Sequence, residues 1–207
     1  MHDSRVGWWR REDDRGVELS DEVLCRRAAE HDEAAFDALV ARYQARAYRL
    51  AWSIVRNAED ARDVSQEAFI RLYQSAGKFD GRSKFSTWFY RILVNLCLDH
   101  RRKHRWWTLW TRDESDPESE ESLLDRQPAP AQNPVDAIGR ERTLKRLWEA
   151  VGRLAPQQQA AVILQVQEEL PTREIAAVLK CSEATVRVHL HRAVSTLRKT
   201  LKTTETD

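Results

Sequence analysis

The sequence predicts an all-α protein made of two small helical domains that are joined by a flexible acidic linker. Three observations favour this fold class. Gly and Pro number 6 each in 207 residues, helix-forming residues are abundant, and apolar residues recur mostly at steps of three and four. A chain with 42% hydrophobic and 32% charged residues has the composition of globular domains.

The same composition excludes several classes of protein. No stretch is apolar for the length of a membrane span, and the first residues lead into charges, so we expect a cytoplasmic protein without membrane insertion. The three cysteines, Cys25, Cys97 and Cys181, are odd in number and far apart. They favour reduced thiols over a disulfide framework or a zinc site.

Charge is segregated along the chain, although the net charge is only +1. Residues 99–105 carry four Lys or Arg and one acid, residues 113–125 carry seven acids and no base, and residues 184–202 carry five bases and no acid. Two basic segments therefore flank an acidic one, and basic segments favour an anionic partner.

The first domain is predicted over residues 19–107, after an unstructured tail at residues 1–18. Ser20 is suited to cap a short first helix, and a long second helix is expected from about Glu33 to Val55. Asn57 is suited to cap a third helix that ends at Gly77. Its expected core face consists of Ala61, Val64, Ala68, Phe69, Leu72 and Tyr73.

The fourth helix is expected to bury apolar residues and then to run into the basic stretch that starts at His100. Those apolar residues are Phe85, Trp88, Phe89, Ile92, Leu93 and Leu96. Acidic residues, Ser and four Pro follow, and such a segment cannot bury enough apolar surface to fold by itself. We assign residues 108–137 to the linker.

The second domain is predicted over residues 138–202, with a short tail at residues 203–207. Pro156 is suited to start one of its helices. From Pro171 to Leu201, a short apolar helix, a turn at residues 180–182 and a second amphipathic helix form a helix-turn-helix pattern. The domain is therefore expected to be helical as well.

The last helix has an exposed face that suits DNA. Val188, His191, Arg192 and Lys199 point away from its apolar side, and Arg187 flanks them. A helix in the major groove needs donors for base edges near its start and cations for phosphates along its flanks. A solvated basic helix that closes a bundle remains the alternative.

The fourth helix carries a polar stripe beside its core face, with Lys84, Arg91, Asn95 and Arg102 in line. The loop before it holds the aromatic residue Phe79 and leads into Phe85. Cations, an amide and aromatic rings together suit single-stranded or melted DNA. An ordinary polar helix face remains the alternative.

No catalytic, metal or cofactor site is predicted. Asp60, Asp63 and Glu67 share one side of the third helix, but no Glu has a His three residues later, as bundle metal enzymes require. His100 and His104 have zinc-like spacing, but Arg101 takes the position of the glutamate in a metalloprotease motif. The acidic face is instead interpreted as a solvated surface or a docking surface for a basic partner.

Four segments together closely resemble the extracytoplasmic function subgroup of the bacterial sigma-70 family. They are residues 63–69 (DVSQEAF), 85–95 (FSTWFYRILVN), 170–176 (LPTREIA) and 185–187 (TVR). The resemblance runs from about Leu19 to Leu201 and includes both domains. It implies a transcription initiation factor that recruits core RNA polymerase to a promoter and helps to melt the duplex, without catalysis or a cofactor of its own.

The resemblance also implies roles for individual residues. In the first domain, called region 2, Asp63, Gln66 and Glu67 are expected to bind the clamp coiled coil of the largest polymerase subunit. Melted minus-ten DNA is expected near the fourth helix and the loop before it, with a flipped base close to Asn95. The residues assigned to this surface are Phe79, Lys84, Phe85, Arg91, Asn95 and Arg102.

In the second domain, called region 4, the last helix is expected to enter the minus-35 major groove. The resemblance implies contacts there from Arg187, Val188, His191 and Arg192, to which the basic face adds Lys199. It further implies contact with the flap of the second polymerase subunit and an anti-sigma factor as a partner. A dimeric helix-turn-helix regulator is the second hypothesis, and a helical metal hydrolase the third.

Overall fold

The computed structural model describes residues 19–110 and 146–203. The predicted tail at residues 1–18, most of the predicted linker, the start of the second domain and the last four residues lie outside the described residues. Within the two described ranges the protein consists of α-helices, one short 3₁₀ helix and their turns, without strands. The all-α prediction is confirmed.

The first domain is formed by α1 (Asp21–Ala29), α2 (Glu33–Val55), α3 (Ala58–Ser75), a 3₁₀ helix (Ala76–Lys78) and α4 (Phe85–Trp110). The predicted caps are confirmed. Ser20 Oγ accepts a hydrogen bond from the Val23 N–H at 3.4 Å, and Asn57 Oδ1 accepts one from the Asp60 N–H at 3.0 Å. These bonds satisfy amides that the first turn of a helix leaves without partners.

Aromatic rings fill the centre of this domain. Phe85 and Phe89 are both 0% exposed and lie parallel with centroids 6.1 Å apart, while the Tyr43 ring meets each of them edge-on. The Tyr43 hydroxyl donates to Asp21 Oδ2 at 2.5 Å, and the phenol pKa is raised, chiefly by burial and also by this carboxylate. The hydrogen bond fastens α1 to α2 at the edge of the core.

Three expectations differ from the structure. Tyr73 is 43% exposed, so its assignment to the core face was wrong. The helix that Gly77 was expected to end stops at Ser75 and tightens into the 3₁₀ turn that contains Gly77. Helix α4 continues to Trp110, beyond residue 107, where the first domain was expected to end.

The second domain is formed by α5 (146–152), α6 (Pro156–Val166), α7 (Thr172–Leu179) and α8 (Glu183–Thr203). Pro156 occupies the first turn of α6, as predicted. Lys180 adopts a left-handed conformation (φ 53°) that ends α7, and Ser182 Oγ accepts from the Thr185 N–H at 3.1 Å to cap α8. The helix-turn-helix prediction is confirmed.

Left-handed residues that are not glycine recur at turns that follow helices. His31, Arg56, Glu169 and Lys180 all have φ between 52° and 66°. Arg56 ends α2, and its guanidinium lies 4.5 Å from the centroid of the Trp52 ring. Each of these residues lies two or three positions before the start of the next helix.

The two domains pack directly against each other. Helix α6 lies on α2 and α7 lies on α4, and one continuous apolar core extends through both domains. No helix in the described ranges is both long and apolar enough to cross a membrane. The packing places the helix-turn-helix beside the polar stripe of α4.

Candidate nucleic-acid interface

Helix α8 presents a cationic outer face. Val186 and Ala193 are 0% exposed and anchor the helix, while Arg187, His191 and Arg192 are exposed on the rest of its surface. Val188, which is 45% exposed, adds an apolar contact among them. The predicted residues thus share an accessible surface whose donors and methyl groups suit base edges.

The cations of α8 are spread along the length of the helix. Arg187 Nη2 lies 3.3 Å from Glu183 Oε2, one helical turn earlier, so this cation is partly neutralised in the free protein. Lys199 is exposed and follows Arg192 by seven residues, which is about 10 Å along a helix. The two ends of the face therefore cannot contact the same base pair.

The polar stripe of α4 exists as predicted, with residues at steps of seven and four along one side of the helix. Lys84 and Arg102 are exposed, and Arg91 and Asn95 are half-buried. Arg102 pairs with Asp99 at 3.1 Å, and Lys84 pairs with Glu174 of the second domain at 2.7 Å. Both cations at the ends of the stripe are held by carboxylates in this structure.

Phe85 is not available to a base. Its side chain is fully buried in the aromatic core, and its backbone N–H donates to Glu22 Oε1 at 3.1 Å, which caps the start of α4. The expected contact of Phe85 with DNA is therefore corrected to a structural role. Phe79 is half-buried and packs against the rings of Phe85 and Trp88, so its ring keeps an accessible part.

Helix α3 carries a second exposed face. Asp63 and Gln66 are exposed, and Glu67 is partly exposed and pairs with Arg71 at 2.7 Å. Ile70 lies one turn beyond Gln66 and is 51% exposed. Sequence reasoning missed Ile70, although its spacing of i+4 from Gln66 on a helix already placed it on this face.

The structure pairs two residues of the α3 and α4 segments that had been considered as metal ligands. Asp60 Oδ1 lies 3.3 Å from His100 Nε2, which makes a contact between helices. Among the described residues no group of three His, Cys, Asp or Glu side chains is placed to hold a metal ion. Burial raises the pKa of the Cys25 thiol to about 11 and that of Cys97 to about 12.

Polar side chains between the two domains were also missed. Thr87 Oγ1 donates to Glu174 Oε2 at 2.9 Å, the Tyr90 hydroxyl donates to Glu168, and Gln159 Nε2 donates to the Ser53 carbonyl at 2.7 Å. Ser53, Thr87 and Gln159 are all buried. A polar residue at a core position of an amphipathic helix was therefore the sequence feature that could have indicated these contacts. Burial opposes ionisation of Glu174, but its bonds from Lys84 and Thr87 outweigh burial and lower its pKa.

Comparison with known proteins identifies the two domains. Residues 39–107 match Sigma-70 region 2, and residues 144–197 match Sigma-70 region 4. The RNA polymerase sigma-H factor of Pseudomonas aeruginosa is 31% identical over 189 residues, which cover 88% of this chain and 94% of that protein. The chain belongs to the extracytoplasmic function group of the sigma-70 family.

Two further members of the group have similar coverage. The sigma factor SigW of Bacillus subtilis is 30% identical over 83% of this chain and 91% of its own length. The sigma-E factor of Escherichia coli is 30% identical over 85% of this chain and 91% of its own length. Both are ECF RNA polymerase sigma factors. The four sequence segments predicted membership of this group for the present chain.

Solved structures share the fold of this sigma factor. CnrH, solved in complex with the cytosolic domain of CnrY, superposes with a TM-score of 0.64 at 23% identity and covers 88% of this chain and 97% of that one. RpoE of Bartonella quintana, solved with the anti-sigma factor NepR, superposes with a TM-score of 0.63 at 20% identity. The match covers 81% of this chain and 96% of that one. By the residues matched, α3 and α4 belong to region 2, and α8 belongs to region 4.

Proposed function

We propose that this chain is an initiation factor that recruits core RNA polymerase to specific promoters and helps to open the DNA. The observation that carries the proposal is the combination, in one chain of this family, of an exposed acidic face on α3 and an exposed cationic face on α8. It acts by binding, in the cytoplasm, where transcription takes place. No reaction of its own is proposed.

The α3 face is the proposed docking surface for polymerase. Asp63, Gln66 and Glu67 provide a polar rim, and Ile70 provides an apolar contact beside it. Stable interfaces commonly have an apolar centre surrounded by polar groups. The clamp coiled coil of the largest polymerase subunit is the proposed partner of this face, and the flap of the second subunit is the proposed partner of region 4.

The α4 stripe is the proposed surface for the melted minus-ten strand. Lys84 and Arg91 supply cations over about three turns before Asn95, and Arg102 supplies one about two turns after it. Asn95 can offer both a donor and an acceptor to a base edge. Phe79 provides a ring for stacking at the start of the stripe. Phosphates and an unpaired base can therefore be held together.

The α8 face is the proposed reader of the minus-35 element. Arg187, Val188, His191 and Arg192 lie in the first half of the helix, the part that reaches base edges in helix-turn-helix proteins. Lys199 lies farther on and is assigned to phosphate. An anti-sigma factor is proposed as a further partner, as RpoE of Bartonella quintana has NepR.

Run-off transcription with purified core polymerase and a library of genomic promoters tests the proposal. The chain should direct initiation from a subset of promoters that share minus-ten and minus-35 sequences. The double variant Gln66→Ala, Glu67→Lys should lose most of this activity, because the side chains face outward and a reversed charge meets a basic partner. Its control is Glu169→Lys, a charge reversal at an exposed turn of region 4.

Native-gel titration against core polymerase separates docking from DNA binding. The double variant should keep the helical circular dichroism spectrum of the wild type and bind polymerase at least about tenfold more weakly, a loss of about 1.4 kcal/mol. Equal binding of the double variant and the control would remove α3 from the docking surface. Absence of promoter-directed transcripts with the wild type would refute the proposed function.

A further inference from the structure

Val188 is an exposed apolar side chain within the cationic face of α8. It is 45% exposed, although valine is among the residues that are most often fully buried. Its neighbours one turn before and one turn after on the helix are Ala184, Thr185, His191 and Arg192, all of which are exposed. Because removal of apolar surface from water is favourable, a partner that offers an apolar group at this point would be preferred.

Cationic side chains lie on both sides of Val188. At about 100° per residue around the helix, Arg187 and His191 lie on one side of it and Arg192 lies on the other. The first residue of the helix, Glu183, is the only acid of α8. Long cationic side chains at the flanks attract phosphates, and Val188 between them then faces the edges of the bases.

The chemistry of valine selects one group among the base edges. In the major groove, adenine, guanine and cytosine present hydrogen-bond donors and acceptors, whereas thymine also presents its C5 methyl group. An amino or keto group held against Val188 would lose its water without gaining a hydrogen bond, which costs free energy. A thymine methyl group leaves water together with the valine methyl groups, so this contact is favourable.

The position of Val188 along α8 suits contact with a base. It lies in the second turn of the helix, within the part that reaches base edges in helix-turn-helix proteins. Ala184 precedes it by one turn, and its short side chain lets the helix lie close to the bases. Arg192 follows by four residues, about 6 Å along the helix, which is less than two base pairs at about 3.4 Å each. The base that Val188 contacts should thus lie within two base pairs of the one that Arg192 contacts.

We propose that Val188 determines specificity by reading the C5 methyl group of one thymine in the minus-35 element. This inference rests on the proposed function, because it names the chemical group that the α8 face recognises there. Uracil lacks this methyl group and should be discriminated against. 5-Methylcytosine carries a methyl group at the same ring position and should be preferred over cytosine.

Replacement of single thymines by uracil tests the proposal with the unaltered protein. Holoenzyme, formed from core polymerase and this chain, is bound to a promoter recovered from the run-off library. Each thymine of the minus-35 element, on either strand, is exchanged in turn for uracil, which pairs in the same way. At one position the exchange should weaken binding about three- to fivefold, the effect of leaving one methyl group unburied. At that position 5-methylcytosine should bind more tightly than cytosine by a similar factor.

Two valine variants connect the methyl effect to one side chain. Val188→Ala should make the thymine and uracil duplexes bind equally at that position, because the methyl groups that cover the thymine are lost. Val194→Ala is the matched control, since Val194 is 43% exposed on the same helix but lies about 120° around it from Val188. This control should keep the wild-type ratio of thymine to uracil binding. Circular dichroism checks that both variants remain folded.

The outcomes separate this inference from the proposed function. Equal binding of thymine and uracil at every position, or a minus-35 element without thymine, would overturn the role of Val188 while transcription from the promoter upheld the proposed function. A methyl effect that persists in Val188→Ala would also overturn it, because another residue would then make the contact. Absence of promoter-directed transcripts would overturn the proposed function and, with it, the reading of a thymine by Val188.

Discussion

Gln159 provides a quantitative test of how the two domains hold together. Its side chain is 0% exposed, its amide nitrogen donates to the Ser53 carbonyl of α2 at 2.7 Å, and its amide oxygen accepts from Arg101 of α4. One residue of α6 thus bonds to two helices of region 2. Burial alone lowers the pKa of Arg101, so the charged guanidinium already lies where its hydration is incomplete.

Gln159→Leu removes both hydrogen bonds with little change in volume. A buried group left without its partner costs about 1–3 kcal/mol, and a charged group costs more, so the loss in the free energy of unfolding should be about 2–4 kcal/mol. With a urea dependence of about 2 kcal/mol per molar, the unfolding midpoint should fall by about 1–2 M. Urea titration followed by circular dichroism measures this shift.

The control for this prediction is Gln165→Leu, the same substitution on the same helix at an exposed position. It should change the free energy of unfolding by no more than about 0.5 kcal/mol. If both variants unfolded at the same urea concentration, the Gln159 bonds would contribute nothing net. The apolar contacts and the other polar contacts between the domains would then hold region 4 on region 2.

Three further predictions follow from the exposed surfaces and the thiols. Arg192→Ala should weaken minus-35 binding by about 1–3 kcal/mol and reduce discrimination at one base pair, whereas Lys199→Ala should weaken binding to all sequences alike and reduce the slope of log affinity against log salt concentration by about one unit. Binding isotherms across salt concentrations and single-base variants distinguish the two variants. A uniform loss of affinity for Arg192→Ala would make Arg192 a phosphate contact. Ile70→Ala should weaken core polymerase binding by about 1 kcal/mol in a native-gel titration, because a half-exposed side chain buries its remainder on docking; unchanged binding would place Ile70 outside the interface. Of the three thiols, that of Cys181 should react first with a maleimide in the folded protein, since the other two are buried, and simultaneous labelling of all three would contradict this.

The helices were predictable because their signals are local. The predicted range of α2, Glu33 to Val55, agrees with the structure, since its cap and apolar stripe lie within one segment. The prediction that Tyr73 is buried was wrong because it also relied on a local apolar pattern. Tyr73 adjoins Leu72, which is 1% exposed, and a residue next to a core position lies about 100° around the helix, where apolar character alone does not decide burial.

The packing of region 4 on region 2 was not predictable from the sequence. The bond between Ser53 and Gln167 joins residues 114 positions apart, and helical periodicity carries no information on which outer faces meet. Phe85 illustrates the related limit of family resemblance. Its apolar spacing predicted burial while its motif implied DNA contact, and the structure places the ring in the core.

The left-handed turns after the helices have a consequence for the lifetime of the protein. Holding His31, Arg56, Glu169 and Lys180 at positive φ costs about 1 kcal/mol each that glycine would not incur. Four such positions amount to a large part of the 5–15 kcal/mol by which domains are usually stable. A narrower stability margin means a larger open population for proteases to cleave, so the backbone of these four turns bears on the rate at which the chain is degraded.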